Sequence, residues 1–275
     1  MQGPIVAATD FSARADRAID RAIMLGKQLG QKVILAHAID HKQAEMFDKT
    51  SLDRQMREVL PEGLSGAGQV EFTYPEGSAP GALAQAASSH DAGLVVMGPA
   101  RHNSLIDYLL GTAVDYTLRH CDQPVLVVKN RPHRPYAKIV LATDYSKPAA
   151  KALEWAMAEF PEAEFHLVHG CHMPFQELDQ ADYSREDVLG ACQAGMARFV
   201  DDLAITDTAR AKLATHIEIS DPFQTVRRVA QRVGADLLVI GSHGESGFRH
   251  ATIGSVANAL LSSAAIDTLM VQTPD

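Results

Sequence analysis

Short apolar runs recur along the chain and alternate with stretches of helical periodicity. In the first half the runs fall at Ile5–Ala8, 33–38, 93–97 and 125–128, with an alternating stretch at 69–74. Runs of this length, bounded by turn residues, predict buried strands. Between them, apolar positions three and four apart predict helices. The first is capped by Ser12 and continues to about Leu29. A polar helix over 43–60 stops before Pro61-Glu62-Gly63, Pro80 leads into a helix over 82–89, and another covers 112–120. The second half repeats the plan, with strands predicted near 137–142, 163–169, 213–219, 236–240 and 268–272. Continuous apolar strands separated by helices imply parallel sheets covered on both faces, an α/β fold.

The repetition extends to individual residues. Ala8-Thr9-Asp10-Phe11-Ser12 matches Ala142-Thr143-Asp144-Tyr145-Ser146, and Ile34-Leu35-Ala36-His37 matches His166-Leu167-Val168-His169. Gly98 and Gly111 match Gly241 and Gly254 at a common offset of 143 residues. A period this long indicates duplication of a whole domain. The domains predicted are 1–130 and 137–275, joined by the proline-stiffened, solvated segment Lys129-Asn130-Arg131-Pro132-His133-Arg134-Pro135.

The most informative motif follows the strand Asp236-Leu237-Leu238-Val239-Ile240. There, Gly241-Ser242-His243-Gly244 is followed by Gly254-Ser255 at the start of a helical pattern. Glycines after a strand let backbone N–H groups approach an anion, and a helix N-terminus adds its dipole. The order of strand, glycine loop and helix start reads as a phosphate cradle. The first half has lost it. Pro99 deletes a backbone donor and Arg101 puts a long side chain where the second glycine stands. Arg101 either fills a degenerate pocket or itself clamps an anion.

Composition narrows the function. At 275 residues the chain can hold two cores. Residues 1–134 carry 14 basic against 15 acidic side chains, a net of −1, whereas 135–275 carry 11 against 19, a net of −8. With no basic stripe and no long apolar span, neither nucleic acid nor membrane is an expected partner. A polyanion bound by the acidic second half must be held locally, by backbone amides and a divalent cation. Ile5-Val6-Ala7 begins a strand too early for a signal peptide. Cys121, Cys171 and Cys192 form an odd, sparse set without a CxxC spacing, so a reduced cytoplasmic setting is expected.

With these residues the chain resembles a tandem universal stress protein, one family domain per half. The family's nucleotide-binding members carry G-x2-G-x9-G-[S/T], met here by Gly241, Gly244, Gly254 and Ser255. The resemblance implies two doubly wound, Rossmann-like domains, each a five-stranded parallel sheet in the order 3-2-1-4-5. It implies ATP, with Mg2+, in the second half. Thr143 and Asp144 would line the adenosine pocket and the Gly170 backbone would sit near adenine. Gly241 and Gly244 would bend around the phosphates, whose terminal groups Gly254, Ser255 and the Val256 N–H would hold; Ile240 and His243 complete the cofactor-binding set, His243 reading otherwise as a loop residue facing solvent. Ala257 stands where nucleotide-binding relatives place a hydroxyl. The function implied is that of a nucleotide-dependent stress-response regulator, read by an unidentified protein partner. It would be a monomeric pseudo-dimer or a homodimer, with 125–128 and 268–271 as pairing strands. A nucleotide-independent scaffold and a slow ATPase are the alternatives. No Walker-type lysine, nucleophile elbow or catalytic Cys–His pattern is present, so an enzyme is not expected.

Further candidates have plainer readings. His166, His169, Cys171 and His172 suggest a metal, yet strand alternation puts His166 and His169 on opposite faces. His169 and Cys171 can share a side, but structural histidines are the expectation. Cys121 and Trp155 read as packing residues, and the acidic stretch 179–207 as a solvated helix more than a lid.

Overall fold

A computed structural model of the chain describes residues 1–40, 48–60, 70–99, 113–172, 184–242 and 254–272. The chain forms two compact units, Met1–Pro135 and Tyr136–Asp275. In the first, β1 (Ile5–Ala8), α1 (Ala13–Leu29), β2 (Val33–Ala36), α2 (Lys49–Glu58) and β3 (Val70–Thr73) come in turn. They are followed by α3 (Ala79–Ser89), β4 (Leu94–Met97), α4 (Ala113–His120) and β5 (Val125–Val127). The strands pair in parallel as β3-β2-β1-β4-β5, with Ile5 opposite both Val33 and Leu94.

The second unit runs β6 (Lys138–Ala142), α5 (Lys147–Glu159), β7 (Glu164–Cys171), α6 (Arg185–Asp201) and α7 (Asp207–Ala211). Then come β8 (Leu213–Ile219), α8 (Pro222–Val233), β9 (Leu237–Gly241), α9 (Ser255–Ser263) and β10 (Asp267–Val271). Its sheet is again parallel, in the order β8-β7-β6-β9-β10. Each unit therefore has the 3-2-1-4-5 order of a doubly wound fold. The inner strands β2, β4 and β9 are buried at nearly every position because helices cover them, which is why their sequences are continuous apolar runs. The edge strands β3 and β8 are half-exposed and carry the polar residues.

Helix starts follow the capping residues. Ser12 accepts the Ala15 N–H and Ser146 the Ala149 N–H, both at 3.4 Å. Ser184 and Asp187 form a reciprocal capping box at the start of α6, inside the acidic stretch expected to be helical. The segment after β5 is bound to α1 and does not run free through solvent. Arg17 donates to the Lys129 carbonyl and Arg21 to the Arg134 carbonyl, each at 2.9 Å.

Near the outer edge of the second sheet, His166 Nδ1 lies 3.1 Å from His216 Nε2. Arg232 approaches His216 Nδ1 at 3.4 Å; a guanidinium only donates, so the His216 proton sits on Nε2 and points at His166. Burial lowers the pKa of both imidazoles. Glu164 opposes and Lys138 reinforces this at His166, while at His216 His166 and Arg232 reinforce it and Glu218 opposes it. The folded state thus keeps the pair neutral, whereas the unfolded chain takes up protons from the ordinary histidine value of 6.5 downward. Stability supplied by the pair is present above that pH and is lost as the pH falls through the window below it. Thermal denaturation of the second unit between neutral pH and pH ~5 should show this acid slope, and His166→Val should flatten it.

Candidate functional site

The carboxyl end of β6 turns into α5 through Thr143-Asp144-Tyr145-Ser146. Thr143 Oγ1 accepts the Tyr145 N–H at 2.9 Å and Asp144 Oδ1 accepts the Ser146 N–H at 3.1 Å. These bonds hold Tyr145 at φ 67°, a left-handed conformation unusual for a bulky residue. His169 Nδ1 donates to the Thr143 carbonyl at 2.9 Å, and its ring stacks on Tyr145 with centroids 4.2 Å apart. The first unit repeats the hydrogen bonds of this joint, with a tilted ring contact in place of the stacked one. Phe11 has φ 58° and its N–H reaches Thr9 Oγ1 at 3.1 Å. His37 Nδ1 meets the Thr9 carbonyl at 3.0 Å, with its ring 4.4 Å from Phe11. The matching Thr-Asp-aromatic-Ser and His positions therefore build a strand-to-helix joint.

Beside this joint in the second unit lies a cleft of about 260 Å³. It opens at the carboxyl ends of β6, β7 and β9, where the strand order reverses about β6, the usual ligand position in such sheets. Ala142, Thr143 and Asp144 line it from β6, Val168, His169 and Gly170 from β7, and Ile240 and Gly241 from β9. Ala149 of α5 and Pro222 and Val226 of α8 complete an apolar wall. Gly254, Ser255, Val256, Ala257 and Leu260 contribute the start of α9.

Of the residues singled out in the sequence, Thr143, Asp144, Gly170, Ile240, Gly241, Gly254, Ser255 and Val256 converge on this cleft. His243 and Gly244 lie outside the described residues, as do Arg101, Gly111 and Thr112 of the first half. The sequence reading missed Ala142, Ala149, Val168, His169, Pro222, Val226 and Leu260 as lining groups. Apart from His169 these are apolar residues that read as core, and only the placement of their strand and helix ends marks them.

The three described glycines of the cleft serve different ends. A Cβ at Gly170 would lie 2.6 Å from Pro222 Cα, and one at Gly241 2.9 Å from the Pro148 carbonyl carbon. Both positions need glycine for packing against a helix start, whatever the cleft holds. At Gly254 a Cβ would meet nothing within 4 Å, and the backbone, at φ −54° and ψ 148°, suits any residue. Neither sterics nor conformation within the described protein demands glycine there. Gly254 is also the N-cap of α9 and supplies no side-chain acceptor, so the first N–H groups of α9 have no capping partner from it. These donors and the helix dipole present a positive end to the cleft. Asp144, at the mouth, is exposed.

The sequence reading did not foresee a cysteine pair. Cys171 and Cys192 are joined as a disulfide between β7 and α6. Nothing in a 21-residue separation announces that pairing, which arises because α6 packs against β7. Cys121 is buried and its thiol is pushed up to about 12 by burial, as an inert packing group would be. No helix among the described residues is long and apolar enough to cross a membrane.

Comparisons with known proteins agree with the repeat. The universal stress protein family model matches residues 1–129 and again 135–272. Universal stress protein Rv1996 of Mycobacterium tuberculosis is 26% identical over 196 residues, covering 68% of this chain and 61% of that protein. The chain thus spans about three fifths of the length of such curated relatives. Among solved structures, a universal stress protein from Archaeoglobus fulgidus covers 99% of this chain and 97% of its own at TM-score 0.65 and 18% identity. A Pseudomonas aeruginosa PAO1 protein, PA1789, covers 98% and 92% at TM-score 0.66 and 20% identity. At those identities the likeness speaks for the fold, and the double family match decides membership. The chain belongs to the universal stress protein family, with one family domain in each half.

Proposed function

We propose that the second unit binds ATP in the cleft at the ends of β6, β7 and β9, and that occupancy, not turnover, is its function. The observation that carries this reading is Gly254, an N-cap at the head of a helix whose first donors it leaves uncapped, with no atom of the described residues within 4 Å of where a Cβ would stand. An anion there would accept from the Ser255, Val256 and Ala257 N–H groups and be favoured by the dipole. The Ser255 hydroxyl adds a further donor. The apolar wall of Ala149, Val168, Pro222 and Val226 suits a flat heterocycle near Gly170, and Thr143 and Asp144 supply polar groups for the sugar. Magnesium would travel on the phosphate oxygens, neutralising charge that this acidic half otherwise repels.

Hydrolysis is expected to be slow. Among the described residues no lysine or arginine lines the cleft to stabilise a transferring phosphoryl group. Binding then acts by favouring one conformation or interface that a protein partner reads, through different affinity for two states.

Calorimetry of nucleotide-free protein with ATP and magnesium tests the reading, with one saturable site expected. Absence of binding at millimolar nucleotide would end it. Ala257 lines the phosphate end of the cleft. Restoring a hydroxyl with Ala257→Ser should tighten binding by about 1 kcal/mol, roughly fivefold.

A further inference from the structure

His169, which also lines the cleft, forms with Cys171 and Cys192 a cluster whose sulfurs the nucleotide reading does not use. One ligand atom from each lies within 4.8 Å of the other two. His169 and Cys171 stand on one face of β7, two residues apart, and α6 brings Cys192 to them with 6.5 Å between the cysteine Cα atoms. We propose that, with the Cys171–Cys192 disulfide reduced, these three residues bind a thiophilic metal cation of the zinc class, and that metal and disulfide are alternative states of the site.

The histidine is already prepared as a ligand. The Thr143 carbonyl can only accept, so the proton of a neutral His169 sits on Nδ1 and Nε2 carries the lone pair. Metal-bound imidazoles are oriented by this kind of second bond to a carbonyl. Stacking on Tyr145 fixes the ring plane.

The first unit is an internal control. His37 makes the same bond to Thr9 and also packs on an aromatic ring, yet the residue two positions on is Ile39, buried and apolar. The fold therefore needs the histidine joint but not the sulfurs. The two cysteines are an addition of the second unit.

Two sulfurs and one imidazole nitrogen are a soft donor set, selecting zinc-like cations over the magnesium expected with nucleotide. Three protein ligands leave one tetrahedral position for water. Binding releases two thiol protons as both sulfurs become thiolates. In the competing reaction, two electrons and two protons pass from the thiols to a small disulfide such as oxidised glutathione, which becomes two thiols. The protein then has no thiolate to offer. Cys121, buried elsewhere in the first unit, takes no part.

The test uses the full chain, reduced and desalted without oxygen, titrated with zinc against a chromophoric chelator and separately with cobalt(II). One zinc per chain is expected, and cobalt should give a thiolate charge-transfer band with the strong visible absorption of a tetrahedral site. Cys171→Ser and Cys192→Ser should each lose the stoichiometric step, and His169→Phe should weaken it tenfold or more. Oxidised glutathione should abolish uptake in the unmutated chain and a reductant should restore it. That comparison does not depend on whether a variant folds. No uptake by the reduced chain, uptake without the thiolate band, or equal uptake in both redox states would overturn the proposal. The assay contains no nucleotide, so its outcome is separate from that of ATP binding.

Discussion

Gly254→Asp is expected to leave the second unit at least as stable as the parent while weakening its affinity for magnesium ATP by about 100-fold or more. The two effects have opposite signs because they act on the same group in opposite ways. Gly254 is the N-cap of α9, with an extended backbone and, among the described residues, no atom within 4 Å of where a Cβ would stand. Aspartate is among the preferred N-cap residues, and its carboxylate can accept the N2 or N3 N–H and complement the dipole. A gain of a few tenths of a kcal/mol over glycine follows. Those same N–H groups are the ones proposed to hold phosphate. Capping them removes the donors and adds a like charge in the phosphate position. Calorimetry with ATP and a thermal melt on the same sample measure both signs. Gly254→Ala is the control, expected to melt near the parent. A Gly254→Asp chain that still binds ATP normally would remove the helix terminus from the site.

Much of this arrangement was legible in the sequence. The unbroken apolar runs fixed on parallel strands, and the repeat gave the same order of elements to both halves, because burial on two faces leaves little freedom in strand composition. The corresponding Thr-Asp-aromatic-Ser segments were visible as letters. Their physical content, a left-handed aromatic held by two side-chain bonds and stacked on a histidine of the next strand, was not. The cleft's polar rim, Thr143, Asp144, Gly254 and Ser255, was named through the family resemblance, with the strand ends and the glycine motif pointing to the same place. Its apolar wall was not, since Val168 or Val226 looks like any core valine until the ends of β7 and α8 are placed. The cysteine pair was missed for a related reason. Cys171 and Cys192 meet through the packing of α6, a contact for which no short spacing exists. Glycine was misread in part, since the sequence cannot separate a residue kept small by Pro148 from one with open space around it.

That separation supports the other large effect. Gly170→Ala is expected to lower the stability of the second unit by about 2 kcal/mol, from the usual cost of overpacking, and its melting temperature by roughly 6 °C for a unit of this size. The added methyl would sit 2.6 Å from Pro222 Cα, 3.0 Å from Pro222 N and 3.0 Å from the Ser220 carbonyl oxygen. All three atoms are backbone, so no rotamer change relieves the contact and either β7 or the start of α8 must move. Pro222 is held in turn, because Asp221 caps α8 by accepting the Gln224 N–H at 3.0 Å. A shift there opens or tilts one wall of the cleft, so ATP affinity should fall together with stability. In Gly254→Asp, by contrast, affinity falls while stability does not. Measured side by side, the two variants distinguish a glycine that the protein's own packing requires from one whose space is kept for a ligand. If Gly170→Ala melts with the parent and binds normally, β7 and α8 are not held as closely as their backbone distances imply.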